Sequence, residues 1–558
     1  MEPNIFSLSP FFSFVPLVFS YAEIHYHFRF LFPRYYRKLP EIISDVPIRV
    51  IKLHSSKLPV LIIIKDSHLF PIDLKKIKIT VMGKEKKISK DFSFDFHLNQ
   101  QYFSRILKID INYFKPNQIL DVAVDFTVSK NSKKINFRND NYAGLSFRNY
   151  QCYYSEKPLP YPENWYAGEP HYHSTYTSDQ VEFGADIEST KIMAKSIGLS
   201  WLFVTDHSYD LDDCENSFLK NDPLLPKWKK MLEDVQKNDS EEFRILPGEE
   251  ISIGNSKKKN VHLLAINLKE FIEGKGDSAE VWFKNKPQKF LEEIIIRKKQ
   301  KGESYYSAPR NSYLATRNPQ HAPRNPQPDS LFIAAHPNEK ISFLQKLTLR
   351  RGNWHIDDFL QSGIKFLQII NNSNFQSIED SIHYWKTLLL DGHKFFIIAG
   401  NDAHGNFNVM RQIKIPFIKL FSSVEQVFGK FHTVFNYKTN DPIKGIKSGK
   451  IIVSNGPFLN FRLETNGKKY PIGSTIPTNK AKIYYETKST PEFGEIEKIK
   501  LFIGDYSKKV EKLILNFQNG YNLEIPENGY VRMSMITSKM GRAYTNPVWI
   551  RQIKQYET

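Results

Sequence analysis

Between residues 46 and 160, short stretches of alternating apolar and polar residues predominate. Alternation over 77–81, 107–111 and 120–126 predicts half-buried β-strands, because successive side chains of a strand point to opposite faces. The apolar run 59–64 predicts a short buried strand. Several short strands at close spacing are typical of a β-sandwich. We therefore interpret 46–160 as a β-sandwich-like accessory domain for packing or recognition.

Beyond Trp165 the pattern changes to apolar strands that alternate with amphipathic helices. Predicted helices cover 185–197 (with Gly198 as the C-cap), a region around 224–235, 290–299, 356–362 and 378–390. Predicted strands cover 199–204, 243–252, 261–266, 331–337, 366–371 and 395–400. This alternation indicates an α/β domain with a parallel sheet, open or closed into a barrel. Functional groups in such folds gather beyond the carboxyl ends of the strands.

Changes in composition mark the remaining boundaries. Three prolines within 158–162 interrupt any strand or helix, so the α/β domain is placed at 161–455. Within that domain, 302–329 is rich in Pro, Asn, Arg and Ser, which predicts a mobile surface insertion rather than a lid. Alternating segments after residue 455 predict a small C-terminal β-domain over 456–558.

The N-terminal extension, 1–45, is apolar and aromatic at first. It has no basic segment of the kind that opens a secretory signal, and no run of 18 apolar residues that would span a membrane. Contact of 1–33 with a membrane surface stays an alternative. The chain has only two cysteines, which excludes a disulfide framework and fits a cytoplasmic location. Secretion or membrane association remains open.

Nearly every predicted strand of the α/β domain carries, or is followed by, a histidine or a carboxylate. The set comprises His171, His173, Asp206, His207, Glu250, His262, His336, Asp402 and His404. Six of the 16 histidines belong to it, and a buried cluster of that density is too costly to desolvate without a partner. Mixed N and O ligands without cysteine suit Zn, Mn or Fe. The set exceeds the needs of one ion, so we expect two or three divalent metal ions.

The overall charge changes this picture little. The formal net charge is +18, with 41% hydrophobic and 25% charged residues, which is typical of a globular protein. A basic excess can indicate a polyanionic partner. The lysines are scattered, however, and compositional bias is the preferred explanation. We see no specific nucleic-acid signal.

Five motifs in order resemble those of the PHP (polymerase and histidinol phosphatase) family over 165–455. They are His171-Tyr172-His173-Ser174 with Ser178-Asp179, Thr205-Asp206-His207, a Gly-x-Glu motif that selects Glu250 over Glu249, Ala335-His336-Pro337, and Gly400-Asn401-Asp402-Ala403-His404. His262 completes the set. The segments 453–458 and 544–549 resemble the tail of the CehA/McbA-type branch. One departure is Gln180, where many members have glycine.

The resemblance implies a distorted seven-stranded β/α barrel that holds up to three metal ions, flanked by N-terminal and C-terminal β-rich domains. One ion would be held by His171, His173, Glu250 and Asp402. A second would be held by Glu250, His262 and His336. Asp179, His207 and His404 would complete a third position or shape the site.

The expected activity is metal-assisted hydrolysis of a small-molecule ester or phosphoester. Asp402 or His207 would transfer the proton. Arg411 could clamp an anionic substrate, although a solvated surface arginine is the preferred interpretation. A phosphoesterase is the first choice, and a carbamate, amide or carboxyl-ester hydrolase on the same site is the closest alternative. A non-catalytic metal-stabilised binding protein belongs to a different class, and a nucleic-acid-processing enzyme ranks third.

Overall fold

A computed structural model describes residues 39–550 apart from 53–55, 142–147, 178–183, 216, most of 277–329, 342, 372, 413–420 and 424–425. The fold is α/β and rich in strands, which form several sheets, whereas helices are few in the described part. Several predictions fall outside the described residues. These are the extension as far as residue 38, the insertion 302–329, Asp179 with Gln180, and most of the predicted helix 290–299.

The N-terminal strands form two sheets that face one hydrophobic core. The strands are β1 (Glu41–Asp45), β2 (Arg49–Ile51), β3 (Lys57–Lys65), β4 (Ile72–Met82), β5 (Lys87–Leu98), β6 (Tyr102–Asp110), β7 (Gln118–Lys130), β8 (Lys133–Arg138) and β9 (Tyr150–Ser155). One sheet has the order β1-β3-β6, and the other has the order β2-β9-β7-β4-β5 with β8 beside β7. Alternating residues of β4 and β7 fill the core between them, as the period of two predicts.

Strand β3 is apolar almost throughout because both of its faces are buried. Val60, Ile62 and Ile64 pack into the core between the two N-terminal sheets. Leu61 and Ile63 point the other way, into a core shared with the central region. The small sheet β1-β3-β6 therefore lies between two cores.

The central region contains fourteen further strands and seven helices in its described part. The strands are β10 (Trp165–His173), β11 (Trp201–Val204), β12 (Asp213–Cys214), β13 (Ser217–Asn221), β14 (Arg244–Gly254), β15 (Asn260–Ile266), β16 (Leu331–Ala334), β17 (Phe366–Ile370), β18 (Phe396–Ala399), β19 (Ala403–His404), β20 (Met410–Gln412), β21 (Phe421–Ser423), β22 (His432–Asn436) and β23 (Ile451–Ser454). The helices are α1 (Ile187–Ile197), α2 (Ser208–Leu211), α3 (Pro226–Asn238), α4 (Phe343–Thr348), α5 (Ile356–Ser362), α6 (Phe375–Leu390) and α7 (Pro442–Lys447).

Helix α1 begins and ends where its sequence provides caps. The Asp186 carboxylate accepts a hydrogen bond from Ser189 N at 2.8 Å, which satisfies an N-terminal amide. Gly198 adopts φ +101° and ends the helix, so the predicted C-cap is confirmed. Helices α3, α5 and α6 also lie where the apolar periodicity predicts them.

The prediction of a parallel sheet is only partly right. The pairs β10–β11, β11–β14, β16–β17 and β17–β18 are parallel, but β15 runs antiparallel to β14 and β16. Only 255–259 join β14 to β15, and a connection this short makes a hairpin and cannot form a crossover. The start of β15 therefore lies at the edge where the neighbouring parallel strands end.

The C-terminal strands extend the central sheet and add a second one. They are β24 (Phe458–Thr465), β25 (Lys468–Pro471), β26 (Thr475–Ile476), β27 (Lys480–Lys488), β28 (Ile496–Asp505), β29 (Val510–Ile514), β30 (Tyr521–Glu524), β31 (Gly529–Thr537), β32 (Arg542–Thr545) and β33 (Val548–Ile550). The central sheet continues from β23 through β32, β31 and β28 to β29, and the separate sheet has the order β25-β24-β27-β30. No helix among the described residues is long and apolar enough to cross a membrane.

Two buried charged side chains join the N-terminal sheets to the rest of the molecule. The Arg49 guanidinium donates to both carboxylate oxygens of Glu492, at 3.0 and 2.8 Å, and to Ile197 O at 2.8 Å. The Asp45 carboxylate accepts from Phe407 N at 2.9 Å, three residues after His404. Contacts from the first strands thus reach both the central region and the C-terminal region.

Candidate metal centre

Eight of the nine predicted metal ligands are described, and they meet at one edge of the central sheet. His171 and His173 end β10, His207 follows β11, Glu250 lies in β14, His262 lies near the start of β15, His336 follows β16, and Asp402 and His404 follow β18. They form three overlapping groups whose ligand atoms lie within 4.8 Å of one another. The hairpin β14–β15 explains how His262, near a strand's beginning, reaches the same edge.

Glu250 connects these groups because its two carboxylate oxygens face different histidines. Oε2 lies 3.4 Å from His171 Nε2, 3.3 Å from His173 Nε2 and 3.0 Å from His207 Nδ1. Oε1 lies 2.5 Å from His262 Nδ1 and 3.1 Å from His336 Nε2. Glu250 is 1% exposed. A buried carboxylate with this arrangement can bridge two cations.

Asp402 completes the first group. Its Oδ1 lies 3.3 Å from His171 Nε2 and 3.0 Å from His173 Nε2, and those two nitrogens are 3.1 Å apart. The third group consists of His173, His207 and His404. The rings of His173 and His404 stack with centroids 4.1 Å apart. Asp402 is the least buried member of the first group, so it faces the open side of the site.

Hydrogen bonds at the far side of the rings fix the tautomers. Gln368 Nε2 donates to Gly400 O at 2.9 Å, so its Oε1 faces His171 Nδ1 at 2.7 Å and accepts a proton from it. The neutral His171 ring consequently carries its lone pair on Nε2, toward the carboxylates. A ligand histidine whose other nitrogen donates to an oxygen is the usual arrangement in metal sites.

His173 is oriented through a chain of two further side chains. The Thr177 hydroxyl donates to Asp206 Oδ1 at 2.9 Å, so its oxygen accepts from His173 Nδ1 at 3.2 Å. Asp206 also accepts from Ser174 N and Ser174 Oγ, each at 2.7 Å. The sequence predicts Asp206 as a secondary residue of the site. It belongs to none of the three groups and instead holds the loop after β10.

His336 and His404 are oriented in the same way. His336 Nδ1 lies 3.1 Å from the Glu339 carboxylate, which leaves Nε2 directed at Glu250. His404 Nδ1 donates to Asp402 O at 3.1 Å. The backbone is strained at His336, where φ is +28°, and at Asp402, where φ is +52°. Such conformations persist only where the surrounding structure imposes them.

The buried carboxylate of Glu169 helps to hold the strained backbone at Asp402 in place. Glu169 Oε1 accepts from Asn401 N at 2.9 Å and from His171 N at 3.1 Å, which ties β10 to the loop after β18. Gly400 permits this approach, because a Cβ there would lie 2.9 Å from Glu169 Oε1. Burial raises the pKa of Glu169 to about 8.

In the cluster, buried carboxylates lie next to buried histidines, and each shifts the pKa of the other. Burial would raise the pKa of Glu250, but the surrounding histidines hold it well below its usual range. The pKa of Asp402 is also held well below its usual range, where His171 and His173 outweigh burial. Burial and His207 lower the pKa of His173, yet Asp402 and Glu250 outweigh them and raise it to about 9. Burial likewise opposes a raised pKa at His336, which Glu339 and Glu250 bring to about 10.

The residues fit divalent metal ions. The donors are imidazole nitrogens and carboxylate oxygens, without a cysteine, which is a set that suits Zn, Mn or Fe. In four of the rings the other nitrogen is already engaged, namely those of His171, His173, His336 and His404. Asp402 Oδ1 is buried, and its contacts with His171 and His173 lack hydrogen-bond geometry. A cation would satisfy it.

Sequence reasoning missed the residues that orient the ligands. Gln368, Thr177, Glu339 and Glu169 all have polar groups directed at the cluster or its loops. A signal existed for Gln368, which interrupts an otherwise apolar strand. Of the other predicted residues, Asp179 lies outside the described part. Arg411 lies in β20, and its side chain is not among those described.

Comparisons with known proteins identify no family. No family model matches the chain, and no curated protein matches it. Among solved structures, a β-glucuronidase from Parabacteroides merdae aligns over 92% of this chain and 64% of its own, with 9% identity and a TM-score of 0.20. A family 2 glycosyl hydrolase member from Bacteroides cellulosilyticus aligns over 91% of this chain and 63% of its own, with 8% identity and a TM-score of 0.16. This chain thus spans less than two thirds of either protein, and scores this low do not establish a common fold.

Proposed function

We propose that this protein is a metal-dependent hydrolase of the PHP type, related to the CehA/McbA-type branch. The observation that carries the proposal is the bridging position of Glu250, whose two oxygens face separate sets of histidines within 3.4 Å. A buried cluster with six histidines and two carboxylates is difficult to explain as packing alone.

The proposal includes a distorted seven-stranded barrel in the central region. Seven strands in the described part, β10, β11 and β14 to β18, occur in space in their sequence order. The residues just after β18 return to the first strand, since Tyr172 pairs with Ala403 and His173 with His404. This contact between the last and first strands supports closure.

Divalent ions held by the three groups would supply Lewis acidity and a nucleophile generated from water at neutral pH. The protein's own residues would hold the substrate and move protons. Asp402 is the first candidate proton acceptor because of its position at the open side, with its side chain 18% exposed. His207 is the second candidate, and its Nδ1 is held 3.0 Å from Glu250.

The substrate class that we favour is a phosphoester. The basic net charge of +18 agrees with an anionic substrate. A carbamate, amide or carboxyl ester is the alternative, because the same nucleophile can attack a carbonyl carbon as well as phosphorus.

The test combines metal analysis with turnover. Elemental mass spectrometry on protein purified without chelator or nickel should find two or three ions of Zn, Mn or Fe per chain. The same sample should hydrolyse members of a panel of phosphomonoesters, phosphodiesters, carboxyl esters and carbamates. Metal without turnover on any member would favour a non-catalytic binding protein. Absence of metal after reconstitution would refute the proposal.

A matched pair of variants locates the site. His171→Ala/His173→Ala should lose metal and activity together. His97→Ala/His383→Ala removes two exposed histidines that belong to none of the three ligand groups and should retain both. Turnover retained by the first variant would show that catalysis occurs elsewhere.

A further inference from the structure

A small pocket lies beside the second group of candidate ligands. His262 and His336 form part of its lining, together with Glu339, Arg351 and Trp354. The pocket is separate from the open side at Asp402 in that neither His173 nor Asp402 lines it. A molecule bound there would contact the histidines that face Glu250 Oε1.

Trp354, which lines this pocket, carries a buried hydrogen-bond donor. Its side chain is 4% exposed, and the indole Nε1–H has no acceptor among the described residues. The ring is held by stacking on Phe359, with centroids 5.2 Å apart and planes at 9°. A buried donor without an acceptor is costly. A ligand oxygen in the pocket would remove that cost.

Arg351 brings a positive charge to the same pocket from a fixed backbone. Asn260 N donates to Arg350 O, and Gly352 N donates to Asn260 O, each at 2.9 Å. The Arg351 backbone is thereby fastened to β15 two residues before His262. Its guanidinium is 19% exposed and lies 4.0 Å from Glu339, whose carboxylate is engaged by His336 at 3.1 Å.

We infer that this pocket binds an oxyanion of the substrate, a phosphate or a carboxylate, through the Arg351 guanidinium and the Trp354 N–H. The inference rests on the proposed hydrolase and names a substrate feature, an anionic group next to the Glu250–His262–His336 group. A guanidinium and an N–H donor are the groups that recognise such an oxyanion. Arg351 thus takes the role that the sequence analysis considered for Arg411, for which a solvated surface position was the preferred interpretation.

The experiment titrates inorganic phosphate into the full chain by calorimetry, both as purified and after metal loading. Wild type is compared with Arg351→Met and Trp354→Phe, which keeps an aromatic ring but lacks the N–H. Arg462→Met, at a half-buried arginine of the C-terminal region that pairs with Glu464, is the control. We expect the dissociation constant to rise about tenfold or more in Arg351→Met and about threefold to tenfold in Trp354→Phe. The metal content should stay that of wild type.

Each outcome bears on one proposal. Equal phosphate affinity in wild type and both pocket variants, or no binding by wild type at millimolar phosphate, overturns the inference while the hydrolase can stand. A protein without metal or turnover overturns the hydrolase, and the titration of the purified chain still tests the pocket. If Arg351→Met fails to fold, Trp354→Phe decides alone. If acetate competes with phosphate for the pocket, the pocket is assigned to carboxylates. If acetate does not compete, the pocket is assigned to phosphate.

Discussion

Replacing Gln368 should weaken metal binding without touching a ligand. The Gln368 side chain is fully buried, and it connects His171 Nδ1 at 2.7 Å to Gly400 O at 2.9 Å. Gln368→Met removes both contacts, and the weaker hydrogen bond from Gln368 Nε2 to Asn371 Oδ1 at 3.2 Å, while keeping a side chain of similar length. The His171 N–H and the Gly400 carbonyl would then be buried without partners.

The size of the effect follows from those two groups. Each unsatisfied buried polar group costs about 1–3 kcal/mol, so the free energy of unfolding of the metal-free chain should fall by about 2–6 kcal/mol. Loss of an orienting partner typically weakens metal binding by about 10–100-fold, equivalent to about 1.4–2.7 kcal/mol. Gln368→Glu separates the two effects, because its carboxylate still accepts from His171 Nδ1 but cannot donate to Gly400 O.

The assay measures zinc affinity by competition with a chromogenic chelator, and stability by urea unfolding of the metal-free protein. Gln368→Met should lose both, whereas Gln368→Glu should lose stability and keep zinc affinity close to wild type. Gln376→Met, on the exposed side of α6, is the control and should change neither by more than about 0.5 kcal/mol. A folded Gln368→Met protein that binds zinc as tightly as wild type would refute the assignment of His171 as a ligand.

Three further predictions concern charge. Glu250→Gln should lose metal, whereas Glu249→Gln should retain it. The reason is that burial raises the pKa of Glu249 to about 8, so its carboxyl is already largely neutral at pH 7. Elemental analysis of both variants tests this. Arg49→Met should lower the free energy of unfolding by about 3–5 kcal/mol, since it leaves Glu492 buried without its cation, and a Glu492→Met second change should recover part of the loss in urea unfolding. Zinc binding at pH 7 should release protons and tighten as pH rises toward about 9, the pKa of His173; calorimetry in buffers of different ionisation enthalpy that detects no release would contradict this.

The local elements were predictable because short-range patterns determine them. Alternation at 77–81 and the apolar spacing of 356–362 each correspond to an element of the expected type. Gly198 ends α1 for a reason that is visible in the sequence alone. The direction of β15 was not predicted, since the rule of alternating helices and strands assumes a helix where only 255–259 connect the strands.

The candidate ligands were predictable as residue types but not as an arrangement. Histidines near strand ends can be recognised one at a time. The partners that orient them are distant, as with Gln368, which lies 197 positions from His171. Trp354 and Arg351 offered no signal at all, because a tryptophan and an arginine in a polar segment have no pattern that connects them with His262. Tertiary structure alone brings these groups together.

The two-sided burial of β3 limits how this protein can be divided. The proline-rich segment near residue 160 looks like a place to cut, but a fragment starting there would expose the surface that Leu61 and Ile63 cover. That surface belongs to the same core as α1 and the strands that carry the histidines. The N-terminal strands therefore cover the core of the central region. Both regions should unfold together as one cooperative unit.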